Sequence, residues 1–239
     1  VTRNQPASDS QYENGDWLAK NPEWGEGDAR WKAGQVAQIL ADHGLEPSSV
    51  CDVGCGTGGV LDALRDLLPG DPRLVGYEIS ADGLSLASPE RRERIELVHG
   101  TLDGTEEQFD IVMALDVFEH VPDYMGFLEG LRPHGRRFVF HIPLDMNVKL
   151  VLRGANLRAR EALGHIHYFS RETALATLAD TGYRVLEDRF TKPSLELVGR
   201  EGVSKVLRWP RRIGMKLSPV LTARLAGGFP LLVLAEPAD

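Results

Sequence analysis

The sequence predicts an α/β protein: seven strands in an open, mostly parallel sheet, helices on both faces, and a reversed C-terminal edge strand. Three observations predict it. Between residues 45 and 190, short apolar runs alternate with helical patterns at the spacing of β-α units. A glycine-rich loop, "CDVGCGTGGVL" at 51–61, joins the first run to a helix. Two strand-like runs, "YRVLEDRF" and "FPLLVLAE", close the chain and can lie antiparallel.

Composition narrows the class. A chain of 239 residues can bury one good core, so one domain is expected. Apolar residues at 42% and charged residues at 26% are ordinary for a globular chain and exclude disordered and fibrous classes. A net charge of −8 argues against a general nucleic-acid binder, which needs a cationic face. The charge is uneven, however: residues 200–224 hold seven cationic residues against Glu201 alone. Cys51 and Cys55 are the only cysteines and suggest neither a disulfide framework nor a zinc site, so a reduced cytoplasm is expected. The polar start is unlike a signal peptide, and no apolar run approaches the ~20 residues of a membrane span, so stable membrane insertion is not expected.

In chain order, residues 1–28 are polar and turn-rich, with Tyr12, Trp17 and Trp24 interspersed. Asp28 is read as the cap of a helix, "ARWKAGQVAQILADHG", whose apolar stripe of Trp31, Val36 and Leu40 stops at Gly44; residues 1–44 form a helical lid. "SSVCDV" reads as a buried strand and "GGVLDALRDLL" as a helix with Val60, Leu61, Leu64, Leu67 and Leu68 on one face. "RLVGYEIS", ending in Glu78, and "RIELVHG" follow. "FDIVMALD" and "RRFVFHIP" are separated by helical "YMGFLEGL" and a turn at Pro133–Gly135. Residues 45–190 make the core and 229–239 the last strand. Roughly 40 residues before it are too many for a bare loop, so the basic stretch 191–228 should be a cap with helices of its own.

The glycine loop satisfies two spacings, G-x-G-x-x-G through Gly54, Gly56 and Gly59, and G-x-G-x-G through Gly54, Gly56 and Gly58. Both let the backbone turn sharply and admit a ligand at the carboxyl end of a strand. The rest of the chain must decide between them.

At this point the chain resembles the class I S-adenosylmethionine-dependent methyltransferases of the small-molecule group, over residues 29–190 and the last strand. "CDVGCGTG" resembles the family's first motif, which implies that Gly54, Cys55, Gly56 and Gly58 pack on the methionine part of the cofactor while Asp52 holds its ammonium. "VGYEIS" resembles the second, which implies that Glu78 takes both ribose hydroxyls and Ile79 packs on adenine. "FDIVMALDVFEHVPD" resembles the fourth strand and its exit loop, placing Leu115 and Asp116 at the cofactor. "LRPHGRRFVFHIP" and "HIHYFSRETALATLADTGYRV" resemble the fifth strand's approach and the helix before strand six. The implied fold is a Rossmann-like seven-stranded sheet. The chain departs from the pattern after strand three, where His99 and Gly100 precede Thr101, Leu102 and Asp103, the three candidates for the adenine amine. It also carries Pro133-His134-Gly135 where the family has Pro-Gly-Gly.

Such a cofactor has a carboxylate and an ammonium at one end, vicinal hydroxyls in the middle and a flat base at the other. It calls for backbone amides, two acids and an apolar slot, which this sequence supplies at successive strand ends.

Methyl transfer at a sulfonium needs positioning, and a base only where the acceptor arrives protonated. His120 in "FEHV", His141 at the end of strand five, and His165 and His167 in "GHIHYFS" are the candidate catalytic bases. His165 and His167 alternate, share a face in an extended segment, and are preferred. Trp24, Trp31, Lys32 and Tyr168 are the candidate substrate contacts.

No metal is assigned. As the alternative, Asp116, Glu119 and His120 have the spacing acid-x-x-acid-His, which resembles the magnesium pattern of small-RNA 2′-O-methyltransferases and some quinone O-methyltransferases. The cationic "VSKVLRWPRRIGMKL" mixes Val203, Val206, Leu207, Trp209 and Ile213 with arginines. It can cap the pocket, recognise an acidic small molecule or lie on an anionic membrane, with Pro210 interrupting it. Rival classes are an NAD-dependent oxidoreductase, a non-catalytic cofactor binder, and a different reaction on the same cofactor. The first leaves "FEHV" and the reversed last strand unexplained.

Overall fold

The computed structural model describes residues 17–18, 21–197 and 205–238; Tyr12 and Val203 lie outside them, as do the side chains of Val206 and Leu207. The strands are β1 (Ser49–Val53), β2 (Arg73–Glu78), β3 (Glu96–His99), β4 (Phe109–Leu115), β5 (Gly135–Ile142), β6 (Tyr183–Phe190) and β7 (Leu231–Pro237). They form one sheet in the order β3-β2-β1-β4-β5-β7-β6. Pairing is parallel from β3 through β5, while β7 runs antiparallel to both β5 and β6.

The reversed strand is therefore the last one in sequence, as expected, but it does not lie at the edge. Composition explains the difference. "LLVLA" in β7 is a continuous apolar run, suited to a strand covered on both faces, and all five residues are buried. β6 carries Arg184, Glu187, Asp188 and Arg189, is only partly buried, and bulges between Val185 and Glu187. The charged strand takes the edge.

The period of two along each strand splits the core into two layers. Val112, Ala114, Phe138, Phe140 and Val233 face one side, packed by α5 (Tyr124–Leu131) and α8 (Arg171–Asp180). Val50, Ile111, Met113, Val139 and Leu234 face the other, covered by α1 (Glu26–Asp42) and α2 (Gly59–Arg65). Short helices α3 (Ala81–Ser85) and α4 (Pro89–Arg94) lie between β2 and β3. Leu61, Leu64 and Leu68 are buried in this layer, but Leu67 is exposed, because α2 ends at Arg65 and the phase of its stripe is lost.

Asp28 does not cap α1. The helix begins two residues earlier, with Gly25 at φ 79 in the cap position, and Asp28 is buried in its first turn. Beyond β5 the chain forms α6 (Val148–Leu152) and α7 (Ala155–Leu163). The cap consists of α9 (Pro193–Glu196), α10 (Lys205–Leu217) and α11 (Pro219–Ala226). Pro210 does not interrupt α10, which runs through it. A proline inside a helix costs about 3 kcal/mol, so tertiary anchors must hold this one; Arg211 and Met215, both buried, are those anchors.

Candidate active site

The carboxyl ends of β1, β2, β4 and β5 border one cavity of about 450 Å³, where an open α/β sheet takes its ligands. Gly54, Gly56 and Gly58 have φ of 76, 58 and 78°, whereas Gly59 already belongs to α2. The loop therefore turns on the tighter spacing. At Gly56 glycine is needed twice over: its φ is left-handed, and a Cβ there would lie 2.6 Å from Trp24 Cδ1.

Asp52, near the end of β1, is buried, and its Oδ1 has no hydrogen-bond partner among the described residues. Burial pushes its pKa up to about 7, against the pull of Lys32 and with the push of Glu78. A buried carboxylate oxygen left unpaired at a cavity wall calls for a donor, best a cationic one. Glu78 closes β2 and staples the loop around itself: Oε2 accepts the Gly56 N–H at 2.8 Å and Oε1 the Ser80 N–H at 2.8 Å. Burial raises its pKa, while these backbone bonds oppose the rise. Each oxygen keeps acceptor capacity for a further donor. Ile79 stands exposed beside it, lining the cavity. Cys55 also lines it, with its thiol pKa raised well above the usual value by burial.

The other end of the cavity is assembled from distant segments. Asp116 leaves β4 at φ 58. Its Oδ1 accepts from His141 Nδ1 at 2.7 Å and its Oδ2 pairs with Lys32 Nζ at 2.7 Å. Burial works against its ionisation, but His141 and Lys32 prevail and hold it well below the usual carboxylate range. His141 Nε2 lies 2.9 Å from Thr191 Oγ1, so both of its ring nitrogens are engaged. His165 Nδ1 lies 2.6 Å from Asp145 Oδ2, which leaves Nε2 as the ring's remaining site.

His120 Nδ1 lies 3.1 Å from the Gly164 carbonyl, and its ring is 5.0 Å from that of His165. Burial, then the charge of His165, lowers its pKa to about 4. Glu119 is fully buried; neither carboxylate oxygen is hydrogen-bonded to a described residue, and Oε1 lies 3.7 Å from His120 Nε2. Burial and the neighbouring Asp116 push it well above its ordinary value. Glu119, His120 and His165 present ligand atoms within 4.8 Å of one another. Asp116, expected in that set, is instead committed to Lys32 and His141.

Several expected residues stand elsewhere. His167 donates from Nε2 to the Val121 carbonyl, 3.0 Å away, and its ring packs 4.5 Å from that of Tyr124, outside the cavity lining. The alternation fails because the N–H groups of Ile166 and His167 both donate to the Glu119 carbonyl, a geometry no regular strand permits. The Tyr168 hydroxyl donates to the Asn156 carbonyl and is likewise outside the lining. Thr101 and Asp103 are exposed, Leu102 is in the core, and none of the three borders the cavity.

Trp31 borders it but sends its indole N–H to Glu196 in α9, 2.8 Å away. Trp24 borders it at the glycine loop, against Gly56 and Gly83, not beside the histidines. Sequence reasoning missed Asp145 and Thr191, the partners of His165 and His141. For Asp145 a signal existed, an acid just past the end of β5 in "HIPLD"; Thr191 had none.

A family model described as a methyltransferase domain matches residues 26–188. A demethylmenaquinone methyltransferase from Oceanobacillus iheyensis is 34% identical over 108 residues, 42% of this chain and 44% of that protein. A ubiquinone biosynthesis O-methyltransferase from Hydrogenovibrio crunogenus is 27% identical over 129 residues, 49% of this chain and 52% of that protein. The chain thus spans about half the length of these curated relatives. A crystal structure of magnesium protoporphyrin IX methyltransferase from Synechocystis, with bound S-adenosylhomocysteine, superposes with a TM-score of 0.59 at 16% identity, covering 87% of this chain and 83% of that one. At that identity the likeness is one of fold.

Proposed function

The chain belongs to the methyltransferase-domain family, that of the class I S-adenosylmethionine-dependent enzymes, and on that premise we propose that it methylates an oxygen or nitrogen of a small molecule. The bound cofactor supplies an electrophilic methyl group. The observation that carries the reading is the unpaired, buried Oδ1 of Asp52 beside a loop stapled by Glu78. Asp52 would hold the ammonium, Glu78 the ribose hydroxyls through its spare acceptor capacity, and Ile79 one face of adenine. Relatives named for ubiquinone and demethylmenaquinone chemistry support a small-molecule acceptor.

His165 is the base we assign. Asp145 fixes Nδ1 as the donor, leaves Nε2 as the acceptor, and sets a negative charge against the ring that receives the proton. His141 has no free nitrogen and acts as a positioning residue for Asp116. Calorimetric titration with S-adenosylhomocysteine, with NADH in parallel, tests the cofactor. Micromolar binding of the former alone is expected; binding of NADH alone overturns the reading.

One observation favours a second reading. A buried carboxylate with neither oxygen hydrogen-bonded to a described residue, and with an imidazole nitrogen 3.7 Å from Oε1, suits a divalent ion that would lower an acceptor hydroxyl's pKa. Under it, His165 is a ligand and not a base. Activity that survives exhaustive chelation removes it; activity restored only by divalent ions replaces the base with the metal.

A further inference from the structure

The helix α10 wears its polarity inside out. Its buried side is Arg211 and Met215. The Arg211 guanidinium donates to the Ala226 carbonyl at 3.1 Å and stacks 4.5 Å from the Phe229 ring centre, so that a cation closes the C-terminal end of α11. The outward side is apolar. Trp209, Ile213 and Leu217 recur every four residues along one line and are 71%, 50% and 81% exposed. A second row runs beside it with the same spacing, Arg208, Arg212 and Lys216, none of which makes an ion pair to a described residue. α11 packs on α10 and adds exposed Leu221 and Leu225.

None of these residues borders the cavity, so the cationic row does not serve an acidic substrate held there. What covers the face must be apolar along one line and anionic along the next. Residues 205–217 hold five cationic residues and no acid in a chain of net charge −8, so the charge is concentrated where the apolar row is. A second copy fits poorly, because a two-fold interface would set each cationic row against the other. A bilayer with anionic headgroups supplies both properties at once, and tryptophan with arginine and lysine is the usual makeup of a helix at that boundary.

We propose that the face of α10 and α11 docks on an anionic lipid bilayer, with Trp209, Ile213 and Leu217 at the headgroup–acyl boundary and Arg208, Arg212 and Lys216 among the phosphates. The proposal rests on the cap alone and is independent of the reaction.

The test is flotation of the full chain with phosphatidylcholine vesicles, with and without phosphatidylglycerol. Co-flotation with the anionic vesicles is expected, falling as salt rises. Ile213→Glu should weaken it by about tenfold or more, as should Arg208→Glu combined with Arg212→Glu and Lys216→Glu. Circular dichroism and affinity for S-adenosylhomocysteine should be unchanged in each, since these side chains are outside the core and the cavity. Absence of flotation at low salt, equal flotation with neutral vesicles, or variants that float like the wild type would overturn the proposal. So would a dimer in light scattering that Ile213→Glu dissociates, which would make a second copy the occupant.

Discussion

The two ends of the cavity are built by different means. At the end we assign to the cofactor, Asp52, Gly56 and Glu78 come from two neighbouring parallel strands and the loop between one strand and its helix, and backbone amides make the key bonds. At the end we assign to the acceptor, Lys32, Asp116, His141 and Thr191 come from four segments, and side chains bond side chains. Asp145 and His165 add two more. The first end inherits its geometry from the sheet and turns on a few residues in fixed spacing. The second depends on how loops and α1 pack together, which leaves it free to vary with substrate.

If the ends are separable, substitutions should divide cleanly between turnover and affinity. The largest effect falls at the acceptor end. His165→Ala should slow methyl transfer by roughly 100- to 10,000-fold while affinity for S-adenosylhomocysteine holds, read by single-turnover kinetics and calorimetry. Asp145→Asn, which keeps the ring but loses the carboxylate charge beside Nδ1, should follow it with a smaller loss. Unchanged turnover in both would remove the base. Next comes Glu78→Ala, which deletes a charged acceptor of two backbone amides and of the hydroxyls it would take. At about 1 to 3 kcal/mol for each such bond, cofactor affinity should fall by about 10- to 100-fold or more. An affinity equal to wild type would sink the assignment of Glu78.

The contrast also explains what could be read in advance. β1 to β7, the tight glycine loop and the acids at strand ends were legible because periodicity and local turns fix them, and "YMGFLEGL" marks α5 to the residue. The edge was misread because the reversed strand was paired with the end of the chain, although the apolar run of β7 and the charges of β6 held the answer. At the acceptor end, His165 and His167 were read from a strand-like alternation. Two amides converging on the Glu119 carbonyl break that alternation, and such a contact across 47 residues leaves no mark in local spacing. Nor does local spacing say that Asp116 is taken by Lys32 and His141 and so is withheld from Glu119 and His120.

A smaller, graded effect probes the cofactor end by pH. The Asp52 pKa is raised from an ordinary value of 3.8 to about 7, so folding favours the protonated form. Stability from this group is fully present below that ordinary value and is lost as pH rises through 7. A ligand ammonium favours the ionised form, so binding should strengthen over the same window. Affinity for S-adenosylhomocysteine should rise about tenfold between pH 6 and pH 8, and thermal stabilisation by the ligand should rise with it. Asp52→Asn should flatten this dependence at the weak, low-pH level. A wild type whose affinity is flat across that range would mean Asp52 is already ionised without its ligand.

The smallest expected effect is the sharpest control on the acceptor end. His167→Gln removes a ring that packs on Tyr124 and a bond to the Val121 carbonyl, and neither His167 nor Tyr124 lines the cavity. It should cost about 0.5 to 1.5 kcal/mol of stability and leave turnover and cofactor affinity within about twofold of wild type, a span too small to report the loss of a base. The pair of neighbours then separates by function: one histidine carries the proton and the other ties the segment down. Were His167→Gln to slow turnover as much as His165→Ala, the 164–170 segment would have to shift its register when the acceptor arrives. The acceptor end would then be formed by its substrate, while the cofactor end, stapled by backbone amides, would stand ready without one.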